Sequence, residues 1–350
     1  MTQNQRQRLP FDADWRYAGG DAPNAAEVDF DDTAWRTLEL PHDWSIEGPF
    51  SEAAPCGGGG GYLPGGIGWY RKHFTLPAAS KGRRVTIEFD GVYKHSDVWL
   101  NGHHLGFHPY GYTGFHYDLT PFVRFGAENV LAVRVDNSAQ PDSRWYTGSG
   151  IYRHVWLTTT ATLHVAQWGT YVRTPLVSAA IARVEVITEV RNEAESTRVC
   201  TLVTTIVDAH GAVAAVAEQP HPVLPGQSYQ FIQYVEVTQP HLWSDEDPYL
   251  YQAISRIREE EQITDETVTP FGIREAVFDV DKGLLLNGRQ VKIRGVCIHH
   301  DGGCVGAAVP ERVWERRLET LKEMGCNGIR SSHYPPAPSS SICATGWVSL

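Results

Sequence analysis

The sequence predicts a multidomain fold: two all-β sandwiches, followed by the beginning of a parallel α/β domain. The chain has 350 residues, which is enough for two or three domains. Short segments in which apolar and polar residues alternate, separated by turn residues, fill its first two-thirds. After Phe278 the pattern changes to strand, helix, strand, which is how a parallel α/β arrangement starts.

The first domain, residues 1–160, is predicted to be a β-sandwich of the jelly-roll kind. Apolar residues alternate with polar ones at 85–89 and 131–135, as expected for strands with one buried face. Asn101-Gly102 separates two strand-like runs, and this dipeptide is a strong signal for a two-residue hairpin. Strands of this length between turns are typical of sandwiches and jelly rolls.

The second domain, residues 161–275, is predicted to be an immunoglobulin-like β-sandwich. Its span of about 110 residues fits such a sandwich. It has no Cys…Trp…Cys core pattern, so an antibody-type domain is not indicated. The predicted strands are residues 184–190, 199–207, 229–237 and 250–257, with a turn at 208–211.

The third segment, residues 276–338, is predicted to begin an α/β domain. A hairpin signal at 284–288 comes first, and residues 291–298 are predicted to form a buried strand. Pro310 fits the first turn of a helix, Gly325 fits its end, and the next strand follows directly. The apolar residues at helical spacing in between are Val313, Trp314, Leu318, Leu321 and Met324.

Composition and charge exclude several classes of partner. The formal net charge is -11, so nucleic acid and anionic membrane surfaces, which need a basic face, are not expected partners. No apolar run approaches the ~20 residues needed to span a bilayer. Residues 1–11 lack the apolar segment of a secretory signal, which predicts a cytoplasmic protein; a misassigned start would leave a periplasmic location open.

Cysteine and glycine patterns predict neither a metal site nor a phosphate loop. The 6 cysteines are sparse and irregularly spaced, so a disulfide framework is not predicted. Zinc sites favour repeated C-x2-4-C or H-x3-5-H spacings, and adjacent strand residues point to opposite faces. Residues 57–61 are glycines with no Gly-Lys-Ser/Thr after them. The residues considered for zinc are Cys297, His299, His300 and Cys304.

Eight short motifs in a fixed order carry a resemblance to a known family. They are LPHDWSIEGPF at 40–50, GWYRK at 68–72, DVWLNG at 97–102, SGIYR at 149–153, FGIR at 271–274, LNG at 286–288, GVCIHHD at 295–301 and IRSSHYP at 329–335. Each motif is short, but their common order is specific. From about residue 11 to residue 338, the chain resembles the N-terminal part of a family 2 glycoside hydrolase, most like those of β-galactosidase type.

The resemblance implies a jelly roll, an immunoglobulin-like sandwich and a (β/α)8 TIM barrel, of which this chain holds the incomplete start. It also implies a retaining hydrolase that removes terminal sugars from β-galactosides or related glycosides. Such enzymes use two carboxylates, one as nucleophile and one as general acid and base. In the family both glutamates lie on later barrel strands, so no catalytic residue maps onto this chain. The chain alone is predicted to be inactive.

The resemblance has further implications for cofactors and assembly. No cofactor or metal is predicted for this chain. Full-length relatives are implied to use magnesium and sodium, with the magnesium ligands lying beyond this chain. Family members are commonly dimers or tetramers, so a homo-oligomer is one option for the full-length form, and the oligomeric state stays open.

The resemblance assigns substrate binding to His299, Arg330 and His333. Each histidine follows a predicted barrel strand, and active sites of this barrel are built at the C-terminal ends of its strands. Both histidines are implied to donate hydrogen bonds to hydroxyls of the non-reducing sugar, and Arg330 to orient the site. The motif varies within the family at His300 and Asp301, which are not assigned.

A loop of the first domain is a second candidate region. Some galactosidases of the family place an aspartate that contacts the sugar in this loop. In this sequence the corresponding place holds Arg144, and the nearest aspartate is Asp142. For the neighbouring Trp145, core packing and a role in the site both stay open. The clusters at 103–104 and 110–117 are interpreted as scaffold.

The last residues, 339–350, depart from the family pattern. One nucleotide added before codon 339 allows these residues to be read as the helix that the family has at this place. The sequence therefore predicts a frameshifted tail, with a naturally variable tail as the alternative. The incomplete barrel is expected to expose strand edges and to fold poorly.

Three kinds of alternative stay open at this stage. The two β-domains could form a non-catalytic carbohydrate-binding module. Within the enzyme class, β-glucuronidase and β-mannosidase activities are alternatives to β-galactosidase. A product without a stable fold is the third reading.

Overall fold

The first domain is a sandwich of two antiparallel sheets in the computed structural model, which describes residues 6–338. One sheet has six strands in the order β3-β2-β4-β9-β6-β7, and the other has four in the order β1-β10-β5-β8. The strands are β1 (Gln7–Pro10), β2 (Trp15–Gly19), β3 (Arg36–Leu38), β4 (Gly66–Thr75), β5 (Arg84–Phe89), β6 (Ser96–Leu100), β7 (His103–His108), β8 (Phe115–Asp118), β9 (Glu128–Asn137) and β10 (Val155–Thr160).

The core of this domain lies between the two sheets. Trp15, Tyr70, Phe89 and Leu131 are fully buried there. The strands predicted at 85–89 and 131–135 are confirmed as β5 and as part of β9. Alternation places one side of each strand in this core, so the apolar period of the sequence decides which face is buried.

The predicted hairpin at Asn101-Gly102 is confirmed, and hydrogen bonds of the Asn101 side chain hold its turn in place. Both residues have positive φ, 52° and 82°, as a two-residue turn between paired strands requires. The buried Asn101 side chain also makes three hydrogen bonds. Its Nδ2 donates to Phe122 O (2.9 Å) and Asn129 Oδ1 (2.9 Å), and its Oδ1 accepts from Val130 N (2.9 Å).

The second domain is a seven-stranded immunoglobulin-like sandwich. Its sheets have the orders β11-β12-β15 and β14-β13-β16-β17. All four predicted strands are present, and three further strands complete the sandwich. The strands are β11 (Leu163–Val177), β12 (Ile181–Asn192), β13 (Arg198–Val207), β14 (Val213–Val223), β15 (Ser228–Thr238), β16 (Tyr251–Glu259) and β17 (Gln262–Phe271).

Two of the strands without a prediction, β14 and β17, lie at sheet edges. Strand β14 contains Pro220 and Pro222, and β17 contains Pro270. Proline cannot donate to a ladder, so it weakens a strand signal and is tolerated at an edge. The prolines therefore explain both why these two strands were not predicted and why they lie at sheet edges.

The third segment contains a small meander and one parallel βαβ unit. The meander comprises β18 (Ala276–Asp279), β19 (Gly283–Leu286) and β20 (Arg289–Gln290). The unit comprises β21 (Gly295–Ile298), α1 (Glu311–Glu323) and β22 (Gly328–Ser331). Strands β21 and β22 pair in parallel, Gly295 opposite Gly328, and they have no other strand beside them among residues 6–338.

Two details of this segment differ from the sequence prediction. The strand expected at 291–298 begins only at Gly295, and its residues are half-buried or exposed. A parallel strand is buried by neighbours on both edges and faces, and β21 has one neighbouring strand. Pro310 precedes α1 as its N-cap and does not enter the first turn. Gly325, with φ 81°, ends the helix as predicted.

The predicted tail at 339–350 lies outside the described residues. None of the helices in the described part of the chain is long and apolar enough to cross a membrane.

Candidate functional site

His299 and His333 meet at one edge of the β21–β22 sheet. His299 directly follows β21, and His333 lies two residues after β22. Because the two strands are parallel, their C-terminal ends lie at the same edge. The centres of the two imidazole rings are 6.0 Å apart. His299 is half-buried and His333 is exposed.

Arg330 fixes the orientation of His333. Its guanidinium lies 3.2 Å from His333 Nδ1 and 3.2 Å from Ser332 Oγ, and 3.6 Å from Cys297 Sγ. Arginine can only donate, so Nδ1 of His333 is the acceptor, and the neutral ring carries its proton on Nε2. The hydrogen bond from Arg330 also holds the pKa of the Cys297 thiol below its usual range.

The indole ring of Trp145, from the first domain, lies against both histidine rings. Its ring centre lies 5.7 Å from that of His299 and 5.4 Å from that of His333. Its Nε1 donates to the hydroxyl of Tyr112 (2.9 Å), and Tyr112 stacks on Tyr334 at 4.3 Å. Tyr112 therefore links the half-buried indole of Trp145 to the loop after β22.

His300 has a different environment from its neighbour. It is buried, its Nε2 donates to Thr147 O (3.0 Å), and its backbone N–H donates to the hydroxyl of Tyr334. Its Nδ1 is buried with no hydrogen-bond partner. Burial lowers the pKa of His300 to about 4, so the ring is neutral near pH 7.

Two buried polar residues of the first domain hold the loops that carry the site. Nη2 of Arg153 donates to Pro335 O (2.9 Å) in the loop after β22. Asp43 accepts a hydrogen bond from the N–H of Ala307 (2.8 Å) in the loop after β21. The sequence prediction assigned neither residue, although both lie in the quoted motifs. A buried charged residue within a motif was the available signal, but its partner lies 182 or 264 positions away.

The carboxylate of Asp142 is bound by two side chains of its own domain. Its carboxylate accepts a hydrogen bond from Tyr93 (2.9 Å) and pairs with Lys94 (2.5 Å). Arg144, which stands at the place of the family aspartate, is exposed. Neither residue has a hydrogen bond to His299 or His333 among residues 6–338.

No group of three or more His, Cys, Asp or Glu side chains within residues 6–338 is placed to hold a metal ion. Cys297 and His299 alternate in direction with His300, whose Nε2 is occupied by Thr147. No chemical step is therefore derived through a metal ion.

A jelly roll, an immunoglobulin-like sandwich and parallel barrel strands with polar side chains at their C-terminal ends form the arrangement of a multidomain barrel enzyme. Three family models match the chain in the same order. They are the sugar binding domain of glycosyl hydrolases family 2 at residues 62–161, glycosyl hydrolases family 2 at 163–274, and the TIM barrel domain of the family at 278–343. The chain belongs to glycosyl hydrolase family 2, and its predicted fold class is confirmed.

Curated relatives carry names of two related activities. The chain is 51% identical over 333 residues to the β-galactosidase BoGH2A of Bacteroides ovatus. This alignment covers 95% of this chain and 39% of that protein. It is 37% identical over 337 residues to a protein of Formosa agariphila named a putative β-glucuronidase. This alignment covers 96% of this chain and 32% of that protein. The chain thus spans well under half the length of these relatives.

Solved structures agree with this result. A glycosyl hydrolase family 2 member from Bacteroides cellulosilyticus has a TM-score of 0.95 at 41% identity, over 98% of this chain and 45% of that one. A β-glucuronidase of Bacteroides uniformis has a TM-score of 0.91 at 32% identity, over 99% of this chain and 42% of that one.

Proposed function

We propose that this chain forms the part of a retaining β-galactosidase that holds the terminal, non-reducing sugar. The convergence of His299, His333 and Trp145 at the C-terminal ends of β21 and β22 carries this proposal. Sugars present hydroxyls around a ring that also has an apolar face. Imidazole N–H groups beside an aromatic ring therefore match both features of a sugar.

The polar contacts define what each residue would do. His333, with Nδ1 held by Arg330, presents an Nε2–H donor to a hydroxyl oxygen. Trp145 offers its half-buried ring to the C–H face of the sugar. Arg330 fixes the donor and does not need to touch the substrate. The site therefore supplies binding and orientation, which are prerequisites for placing a glycosidic bond between two carboxylates.

The catalytic carboxylates are not assigned to this chain. A retaining mechanism needs two carboxyl groups about 5–5.5 Å apart across the glycosidic bond. The two aspartates considered near the site, Asp142 and Asp301, do not match the family glutamates, and Asp142 is paired with Lys94. The purified chain is expected to release no nitrophenol from nitrophenyl β-galactoside or nitrophenyl β-glucuronide.

Galactosides are favoured over glucuronides because the relative that is 51% identical is named a β-galactosidase. Relatives named β-glucuronidases are 37% and 33% identical. Glucuronate carries a carboxylate that would require a cation in the site. Arg330 already donates to His333 and Ser332, which leaves it less available for that role.

Ligand-observed NMR with galactose and with glucuronate tests the proposal on the chain itself. We expect weak binding of galactose, weaker binding of glucuronate, and a loss of about tenfold in galactose affinity for His333→Ala. His210→Ala, an exposed residue of a turn in the second domain, is the control. Galactose affinity unaffected by His333→Ala would contradict the proposal and favour a binding module in the β-domains. Rapid turnover of either nitrophenyl glycoside would show that catalytic groups were missed.

A further inference from the structure

Asp43 is a buried carboxylate between the first domain and the loop after β21. Its Oδ1 accepts hydrogen bonds from the N–H groups of Ser45 (3.0 Å) and Ser149 (2.9 Å). Its Oδ2 accepts from the Tyr146 hydroxyl (2.5 Å) and from the N–H of Ala307 (2.8 Å). Three donors belong to the first domain and the fourth to the barrel loop. One side chain thus joins two domains.

The backbone closes tightly around this carboxylate. Gly148 and Gly306 have positive φ, 70° and 64°, and a Cβ at these positions would lie 2.7 and 2.4 Å from Asp43 Oδ2. Only glycine fits both the conformation and the space. Among residues 6–338, no lysine, arginine or histidine donates to Asp43. Burial raises the pKa of Asp43, whereas the four donors favour the ionised carboxylate.

Both loops held by Asp43 carry side chains of the candidate site. Tyr146 directly follows Trp145, and Ala307 lies in the loop that begins with His299. Trp145 and His299 are in ring contact but come from different domains. Their relative position therefore depends on how the two loops are fastened together, and Asp43 is hydrogen-bonded to both.

We propose that Asp43 is a positioning residue of the sugar site. Its carboxylate fastens the loop after β21 to the loop that carries Trp145, and so keeps His299 and Trp145 at the spacing that a sugar requires. The functional part of this inference rests on the proposed function. The structural part, that Asp43 couples the two loops, does not.

Asp43→Asn tests the coupling with little change in volume. In one orientation the amide NH2 would face the backbone N–H groups of Ser45 and Ser149, which can only donate. In the other it would face the N–H of Ala307, which also needs an acceptor, and the Tyr146 hydroxyl, which can turn to accept. We expect hydrogen–deuterium exchange at residues 143–150 and 299–309 to become about tenfold faster or more, while strand β5 in the core stays protected. Asp208→Asn, which alters a carboxylate that accepts two N–H groups in an exposed turn of the second domain, is the matched control.

A spectroscopic signal separates positioning from general loss of stability. The protein is labelled with 5-fluorotryptophan, and the Trp145 resonance is assigned with Trp145→Phe. In folded Asp43→Asn protein, the 19F resonance of Trp145 should shift or broaden, whereas Asp208→Asn should leave it unchanged. A merely structural role would reduce the folded population without moving this resonance, and that result would overturn the proposal.

Tyr146→Phe is the second variant in case Asp43→Asn does not fold. It removes one donor and keeps the carboxylate, so we expect a smaller increase in exchange, about two- to fivefold, confined to the same two segments. Unchanged exchange there, or an equal increase in strand β5, would overturn the proposal. None of these readouts needs a sugar. Failure of galactose binding in the unmodified chain would therefore count against the proposed function and not against the coupling.

Discussion

His299 and His300 are adjacent and identical in type, but the fold gives them opposite roles. His299 faces the candidate site with Trp145, and His300 points between the domains, where Thr147 accepts its Nε2–H. Alternation along the chain predicts that the two side chains diverge. It does not predict which one is buried, because the covering loop belongs to another domain. The sequence therefore assigns substrate binding to His299 and no role to His300.

The buried, neutral state of His300 makes stability depend on pH. Its pKa is lowered to about 4 in the folded chain, against about 6.5 for an exposed histidine. The contribution is fully present above pH 6.5 and is lost as the pH falls toward 4, because only the unfolded chain then binds the proton. Between pH 7 and pH 5, the unfolding free energy of the wild type should fall by about 2 kcal/mol more than that of His300→Gln.

Urea unfolding at pH 7, 6 and 5 measures this difference. His210→Gln, at an exposed turn position, serves as the control and should keep the wild-type slope. Parallel pH dependences for the wild type and His300→Gln would show that His300 takes up its proton equally well in the folded chain.

At the scale of elements, turn chemistry gave the most reliable predictions. Asn101-Gly102 and Asn287-Gly288 both form two-residue turns with positive φ at both positions, as expected for Asn-Gly. Strand β21 was predicted too long and too buried. The apolar run at 291–298 has the composition of a buried strand, but burial also requires neighbours that sequence pattern alone does not supply.

Asn101→Ala, in the turn between β6 and β7, should strongly destabilise the folded chain. The change removes three hydrogen bonds of a buried side chain and places alanine at a φ of 52°. We expect a loss of about 2–4 kcal/mol in the unfolding free energy, measured by urea titration. Asn24→Ala, at an exposed position of a short 3-10 helix, should change it by less than about 0.5 kcal/mol. Equal effects of the two substitutions would rule out the anchoring role of Asn101.

At the scale of the whole molecule, the β-domains are joined by a buried ion pair. Asp265 is fully buried and accepts from Arg6 at Nε (3.0 Å) and Nη2 (2.9 Å), and from the N–H of Val165 (2.7 Å). Arg6 precedes the first strand of the jelly roll, and Asp265 lies in the last strand of the second domain. The order of domains along the chain does not reveal this contact.

Asp265→Asn should cost about 3 kcal/mol of unfolding free energy, because the charge of Arg6 is left largely buried without its partner. Glu266→Gln is the neighbouring control, since Glu266 pairs with Arg256 at the surface and should change stability by less than about 1 kcal/mol. Chemical denaturation of both variants provides the comparison. A cost for Asp265→Asn no larger than that of Glu266→Gln would show that the domains do not depend on this pair.

By itself, the sequence determined the fold class, the strand faces, the Asn-Gly turns, the helix and its glycine end. These features depend on side-chain period and backbone preference, which act over a few residues. It also singled out His299, Arg330 and His333 through their motifs, and the fold brings these three residues together. The edge strands β14 and β17 escaped prediction because prolines interrupt their pattern.

Only the tertiary structure decided which residues hold the site in place. The barrel loops are contacted from another domain, across separations as large as 264 residues, by Asp43, Tyr112, Trp145 and Arg153. Hydrogen bonds and ring contacts act over a few ångströms of space and leave no period in the sequence. Which side chains meet is therefore fixed only when the jelly roll packs against the ends of β21 and β22.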